Sequence, residues 1–175
     1  PDSSEVLFLL GAIESMAGNS HAARTWLEKA VIAGSRNPNC YLLLGQIYSK
    51  QKQFDKAMKC YRETIAIQPK LAQAHQLLAG LLKLQRKSDE AAQHLNIALQ
   101  IQPNADGYAD LARLYERINR TDDATSMAEK ALQLDPGNLP ATMALADLEK
   151  RAGNFERAEA LFRDITLNPR KENIV

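Results

Sequence analysis

Three histidines and two cysteines are the side chains in this 175-residue chain best suited to bind a metal or act as nucleophiles. His21, His75 and His94 lack the i, i+4 spacing that would place two imidazoles on one helix face around a shared metal. Cys40 and Cys60 show neither CxxC nor Cys/His zinc spacing, and two cysteines are too few for a disulfide framework. A redox bridge between them is conceivable, but a small apolar thiol is most often buried and inert, so a reduced, structural role is expected. The acidic pairs Asp89/Glu90 and Asp122/Asp123 have the side chains for acid–base work. They fall where helices are expected to start, and there a carboxylate complements the helix dipole. No glycine-rich phosphate loop occurs. The expectation is a non-enzymatic segment with no catalytic residue, no metal site and no cofactor.

Composition narrows the class further. With 45% hydrophobic residues the chain can bury a core, which argues against disorder. Lys and Arg total 22 against 21 Asp and Glu, a formal charge of +1. A nucleic-acid module normally gathers a basic excess on one face, so no nucleic-acid partner is expected. No apolar run reaches the roughly 18 residues that span a bilayer, so membrane insertion is not expected. The opening Pro1, Asp2, Ser3, Ser4 and Glu5 lacks the basic start of a signal peptide, and there is no initiating Met. Those features read as an excerpt or processed product, with a cytoplasmic location expected.

Self-similarity organises the rest. Aligned on Ala23, Ala57, Ala91, Ala124 and Ala158, the chain repeats at intervals of 34, 34, 33 and 34 residues. A Leu followed by a small residue precedes each anchor: Leu10/Gly11, Leu44/Gly45, Leu78/Ala79, Leu111/Ala112 and Leu145/Ala146. Four residues after the anchor come Leu27, Tyr61, Leu95, Ala128 and Phe162, and three further on Ala30, Thr64, Ala98, Ala131 and Ile165. Pro69, Pro103, Pro136 and Pro169 close the later units, with Ser35 in the first.

Within each unit apolar residues recur three and four apart, as in Leu44, Ile47 and Tyr48, then Ala57, Met58, Tyr61 and Ile65. That is the period of two amphipathic helices. Breakers separate them: Gly18 and Asn19, Gln51 to Gln53, Lys87 to Asp89, Asn119 to Asp122, and Gly153 and Asn154. Ser88 and Thr121 are expected N-caps. The small columns should let the paired helices approach closely, while Leu27, Tyr61, Leu95 and Phe162 fill the layer against neighbouring helices. Trp26 is expected either between helices or half-exposed on the outer side.

The 34-residue period and the residues Tyr41, Leu44, Gly45, Tyr48, Ala57, Tyr61 and Pro69 resemble the tetratricopeptide repeat. The outer repeats match least, with Glu14 and Glu149 where Tyr48 and Tyr115 stand. The resemblance covers essentially the whole chain and implies an all-α, right-handed superhelical solenoid of five antiparallel helix pairs. The units would be 4–37, 38–71, 72–104, 105–138 and 139–172, together one solenoid domain. Stacking must cover each hairpin's apolar faces, and no capping helix is evident after residue 169.

The resemblance also implies a function. In this family the first helix of each pair lines a concave groove that binds a peptide or partner domain. On matching positions the groove would present Gln46, Ser49 and Lys50, then Gln73, Gln76, Gly80 and Lys83. The fourth unit would add Asp106, Asp110, Arg113 and Arg117, and the fifth Asp147, Lys150 and Arg151. Amides and mixed charges suit an extended backbone. The carboxylate clamp for chaperone tails is not expected, because Phe8, Ala12, Leu43, Gln73 and Leu77 hold its positions. The asparagine ladder of sugar-transferase solenoids is replaced by Leu9, Leu43, Leu77, Asp110 and Ala144. Three readings compete with the scaffold: the non-catalytic segment of a larger enzyme such as a bacterial sulfotransferase or glycosyltransferase, a one-base-per-repeat RNA binder, and self-association through terminal repeats.

Overall fold

The computed structural model describes residues 3–167. Among them the chain is all-α: α1 (Ser4–Met16), α2 (Ser20–Ile32), α3 (Pro38–Lys50), α4 (Phe54–Ile67), α5 (Ala72–Leu84), α6 (Ser88–Ile101), α7 (Ala105–Arg117), α8 (Thr121–Leu134), α9 (Leu139–Arg151) and α10 (Phe155–Leu167). The Pro169 punctuation and the stretch after it lie outside the described residues, as does the side chain of Ile165.

Local chemistry sets the ends of these helices. Side-chain caps open four of the odd-numbered ones: Ser3 accepts from the Glu5 N–H, Asn37 from Asn39, Asn104 from Gly107 and Asn138 from Ala141. Ser88 and Thr121 do not cap as expected. Each is already the first helical residue, preceded by Lys87 and Arg120, and neither of those makes a side-chain cap bond.

The even-numbered helices are aimed by the turn before them. Gly18, Lys52, Arg86, Asn119 and Gly153 all have φ between 57° and 83°, the left-handed region that reverses the chain in one residue. In four of these turns the following N–H returns to a carbonyl five residues back, Asn19 to Glu14, Gln53 to Tyr48, Arg120 to Tyr115 and Asn154 to Glu149, all at 2.9 Å. At the other end, Gln68, Gln102 and Asp135 precede prolines and are extended, with φ from −131° to −141°.

The helices form two compact units, Pro1–Gln85 and Arg86–Val175. In the first, α1 packs on α2, α2 on α3, α3 on α4 and α4 on α5. The small columns work as expected here. A Cβ built on Gly11 would lie 2.7 Å from Leu27 Cγ, and one on Gly45 would lie 2.6 Å from Tyr61 Cε1. Leu27 and Tyr61 are buried at 0% and 1% exposure, which removes about 2 kcal/mol of apolar surface each from water.

In the second unit α6 packs on α7, α7 on α8, α8 on α9, α9 on α10, and α7 also on α9. Ala109, Ala131 and Ala141 meet in its core, flanked by Tyr108 and Leu132. One expectation about the core fails, at Phe162. Phe162 is 39% exposed instead of filling a layer, and Leu10 in the first unit is 38% exposed. Among the described residues α10 packs mainly on α9 and α1 mainly on α2, so their share of each column is not fully covered.

Candidate functional site

The outward faces of the odd-numbered helices carry the residues expected to bind a partner. Their inward faces are consumed by packing. On α3, Leu42, Leu44, Gly45, Ile47 and Tyr48 are buried, leaving Gln46 and Ser49 partly covered and Lys50 exposed. On α5, Leu78, Ala79, Leu81 and Leu82 are buried. Gln73 and Gly80 are exposed, and Gln76 and Lys83 are partly covered. At 100° per residue Gln73, Gln76, Gly80 and Lys83 fall on one stripe. Gln46, Lys50, Gln73 and Gln76 make no hydrogen bond to one another among the described residues.

Gly80 stands apart within that stripe. Unlike Gly11 and Gly45, a Cβ added there would meet no atom within 4 Å. Mid-helix glycine costs about 1 kcal/mol relative to alanine, and nothing in the packing offsets it.

The second unit presents a charged face. Asp106, Asp110, Arg113 and Arg117 are exposed along α7, and Asp147, Lys150 and Arg151 along α9. Asp106 and Arg151 are tied into the fold. Arg151 Nη1 lies 2.8 Å from Glu116 Oε1, which clips α9 to α7. Asn138, fully buried, donates to Asp106 Oδ1 at 2.7 Å while its own Oδ1 caps α9. Exposed Leu139 and Met143 add apolar surface to α9.

Several polar groups work in places that the repeat pattern does not reveal. Glu14 and Glu149, the two departures from the aromatic column, each accept from an asparagine five residues on, Asn19 and Asn154, at 2.7 Å. Glu149 is buried and also pairs with Arg157 Nη1 at 2.8 Å. The shared word Glu-x-x-Ala-Gly-Asn, at 14–19 and 149–154, is the signal that identifies this device.

In the first unit Tyr48 donates to Glu28 Oε1 at 2.7 Å, and Arg24 Nη1 donates to Gln51 Oε1 at 2.8 Å. Arg24 Nε sits 3.5 Å from Glu28 Oε1, within ion-pair range yet without a hydrogen bond. Burial, then the bond to Glu28, pushes the Tyr48 hydroxyl well above the usual tyrosine range.

The cysteines, His75 and the acidic pairs first considered for chemistry occupy packing or helix-start positions. Cys40 and Cys60 are free and buried; burial raises both thiols, Cys60 to about 11, so neither is a ready nucleophile. His75 is buried with Nε2 3.0 Å from the Pro69 carbonyl, while His21 is exposed. Asp89/Glu90 and Asp122/Asp123 occupy first helical turns, and Asp123 also pairs with Arg120 at 2.7 Å. Trp26 is partly covered, with Lys29 Nζ 4.5 Å from its ring centre. Among the described residues no helix is long and apolar enough to cross a membrane.

Ten helices, their turn chemistry and the glycine-against-aromatic columns define an all-α protein of tetratricopeptide type. Family models described as tetratricopeptide repeat match residues 38–71 and 119–174. The chain belongs to the tetratricopeptide repeat family. It is 26% identical over 159 residues to the human Protein O-mannosyl-transferase TMTC1, covering 86% of this chain and 18% of that protein. It is 30% identical over 116 residues to human Tetratricopeptide repeat protein 21A, covering 66% of this chain and 9% of that protein. The chain therefore spans less than a fifth of either relative. Among solved structures, that of YrrB, "a TPR protein with an unusual peptide-binding site", superposes with a TM-score of 0.84 at 16% identity, covering 97% of this chain and 88% of that one.

Proposed function

We propose that the chain is a protein-interaction scaffold, built of five helix-pair units at 4–37, 38–71, 72–104, 105–138 and 139–172, that holds an extended peptide or a partner domain against the outward faces of its odd-numbered helices. Gly80 carries this reading. Evolution of a solvated helix face favours alanine or a longer side chain, whereas a glycine with open space above it lets another backbone come close. Gln73 and Gln76 on the same stripe offer both donors and acceptors to that backbone. The likeness to YrrB, whose title names a peptide-binding site, is consistent with such use. Two free thiols, both buried, agree with a cytoplasmic location.

The test is affinity capture by the intact chain beside a Gly80→Arg variant. A partner retained by the first and lost by the second, with the variant melting no lower than the wild type, supports the proposal. A partner retained equally by both removes α5 from the binding surface.

A second reading makes the chain the non-catalytic repeat segment of a larger enzyme. The match to part of TMTC1, named as an O-mannosyl-transferase, favours it. The reading frame around the chain separates the two: a catalytic domain beyond Val175 supports the second.

A further inference from the structure

Resting on the scaffold reading, we propose that the α7–α9 face of the second unit selects an acidic segment of a partner protein, with two carboxylates one residue apart and an apolar side chain nearby. The argument begins with which arginines the fold satisfies. Arg120, Arg151, Arg157 and Arg163 each have a carboxylate oxygen within 2.8 Å. Arg113 and Arg117 have no such partner among the described residues, although both are exposed on the same helix. They stand at i and i+4, where side chains are neighbours about 5–6 Å apart and like charges repel. A helix face designed only for solvation would alternate sign at that spacing. This one carries two arginines one turn apart.

Lys150 on α9 is likewise exposed and without an ion pair among the described residues. Arg151 is not available, since Glu116 holds it, and that same clip fixes α9 beside α7. The face therefore offers Arg113, Arg117 and Lys150 beside the exposed carboxylates of Asp106, Asp110 and Asp147, of which Asp106 is held by Asn138. In an extended segment, side chains two residues apart point the same way and lie about 7 Å apart, a little wider than the arginine pair and within the reach of its long side chains. Each guanidinium can take a carboxylate through two parallel hydrogen bonds, which a lysine cannot. Leu139 and Met143, 43% and 45% exposed, give an apolar residue of the segment somewhere to pack.

A nucleic acid would also supply negative charge. Against it stands the burial of Tyr115, which leaves no fully exposed aromatic on α7 or α9 for bases to stack on.

The experiment is selection of a random dodecapeptide display library on the intact chain and, in parallel, on an Arg113→Ala/Arg117→Ala variant of unchanged melting temperature. Peptides enriched on the wild type should carry the acidic-x-acidic pattern. A representative synthetic peptide should lose about tenfold or more in affinity on the variant, and should weaken as salt rises. Enrichment without acidic bias, or with the same bias on the variant, overturns the proposal while leaving the scaffold reading intact. No enrichment on the wild type removes the peptide-scaffold reading itself. Salt-sensitive binding of oligouridylate, lost with the two arginines, would assign the face to phosphate instead.

Discussion

The outward faces of α5 and of α7 present opposite solutions on the same framework. The first shows amides around an open glycine, Gln73, Gln76 and Gly80, while the second shows charge, with Arg113 and Arg117 one turn apart. Beneath both lies the same small-residue column, Ala79 on α5 and Ala112 on α7, buried at 1% and 0% exposure. The difference teaches that packing governs the inward positions alone. An outward residue can change without disturbing the helix pair, so each unit is free to specialise.

Substitutions can break that division of labour, and the largest effects should come from the inward side. Gly45→Val should cost about 3 kcal/mol by forcing Tyr61 away from the 2.6 Å approach, and Ala112→Val should be destabilising in the same direction. Urea denaturation measures both. If Ala112→Val is harmless, the two units do not share one packing rule.

The two glutamate turns sharpen the comparison at the next level. Glu149→Ala should cost about 2 kcal/mol, because it strips a buried carboxylate from Asn154 and leaves Arg157 only its exposed contact to Glu129. Glu14→Ala should cost about 0.5 kcal/mol, since its bond to Asn19 is solvent-exposed. Equal losses by thermal denaturation would mean that burial does not distinguish the turns.

Gly80→Ala should run the other way and stabilise the chain by about 1 kcal/mol while weakening a partner that lies against α5. A stabilised variant with full binding would show that the open space is not used. Smallest of all, Arg113→Ala should shift stability by no more than about 0.5 kcal/mol. A larger loss would reveal a structural role for the charged face.

Much of this fold was legible because packing repeats. Column residues such as Ala23, Ala57, Ala91 and Ala124 are each buried to 0% exposure, and a recurring constraint writes a recurring letter. The left-handed turns were legible as breakers where glycine stands, at Gly18 and Gly153, but less so at Lys52 and Arg86, whose side chains tolerate that conformation without advertising it. Ser88 and Thr121 misled because a good capping residue can also serve as the first residue of a helix whose start is already set by the turn.

The candidate site was less legible. Nothing in the repeat distinguishes Asp106, recruited by Asn138, or Arg151, recruited by Glu116, from Arg113 and Arg117, because those bonds join residues about one repeat apart and depend on side-chain reach.

The turns also say where the chain can be lengthened. Inside each helix pair the link is always three residues, at 17–19, 51–53, 85–87, 118–120 and 152–154, with its middle member left-handed. Between pairs it varies from three residues at 102–104 to five at 33–37, and the shorter link at 102–104 accounts for the single 33-residue interval. A connection already found at several lengths tolerates another. An affinity tag or protease site inserted beside exposed Arg36, with the Asn37 cap retained, should cost less than the same insertion at 51–53, which would uncouple α3 from α4.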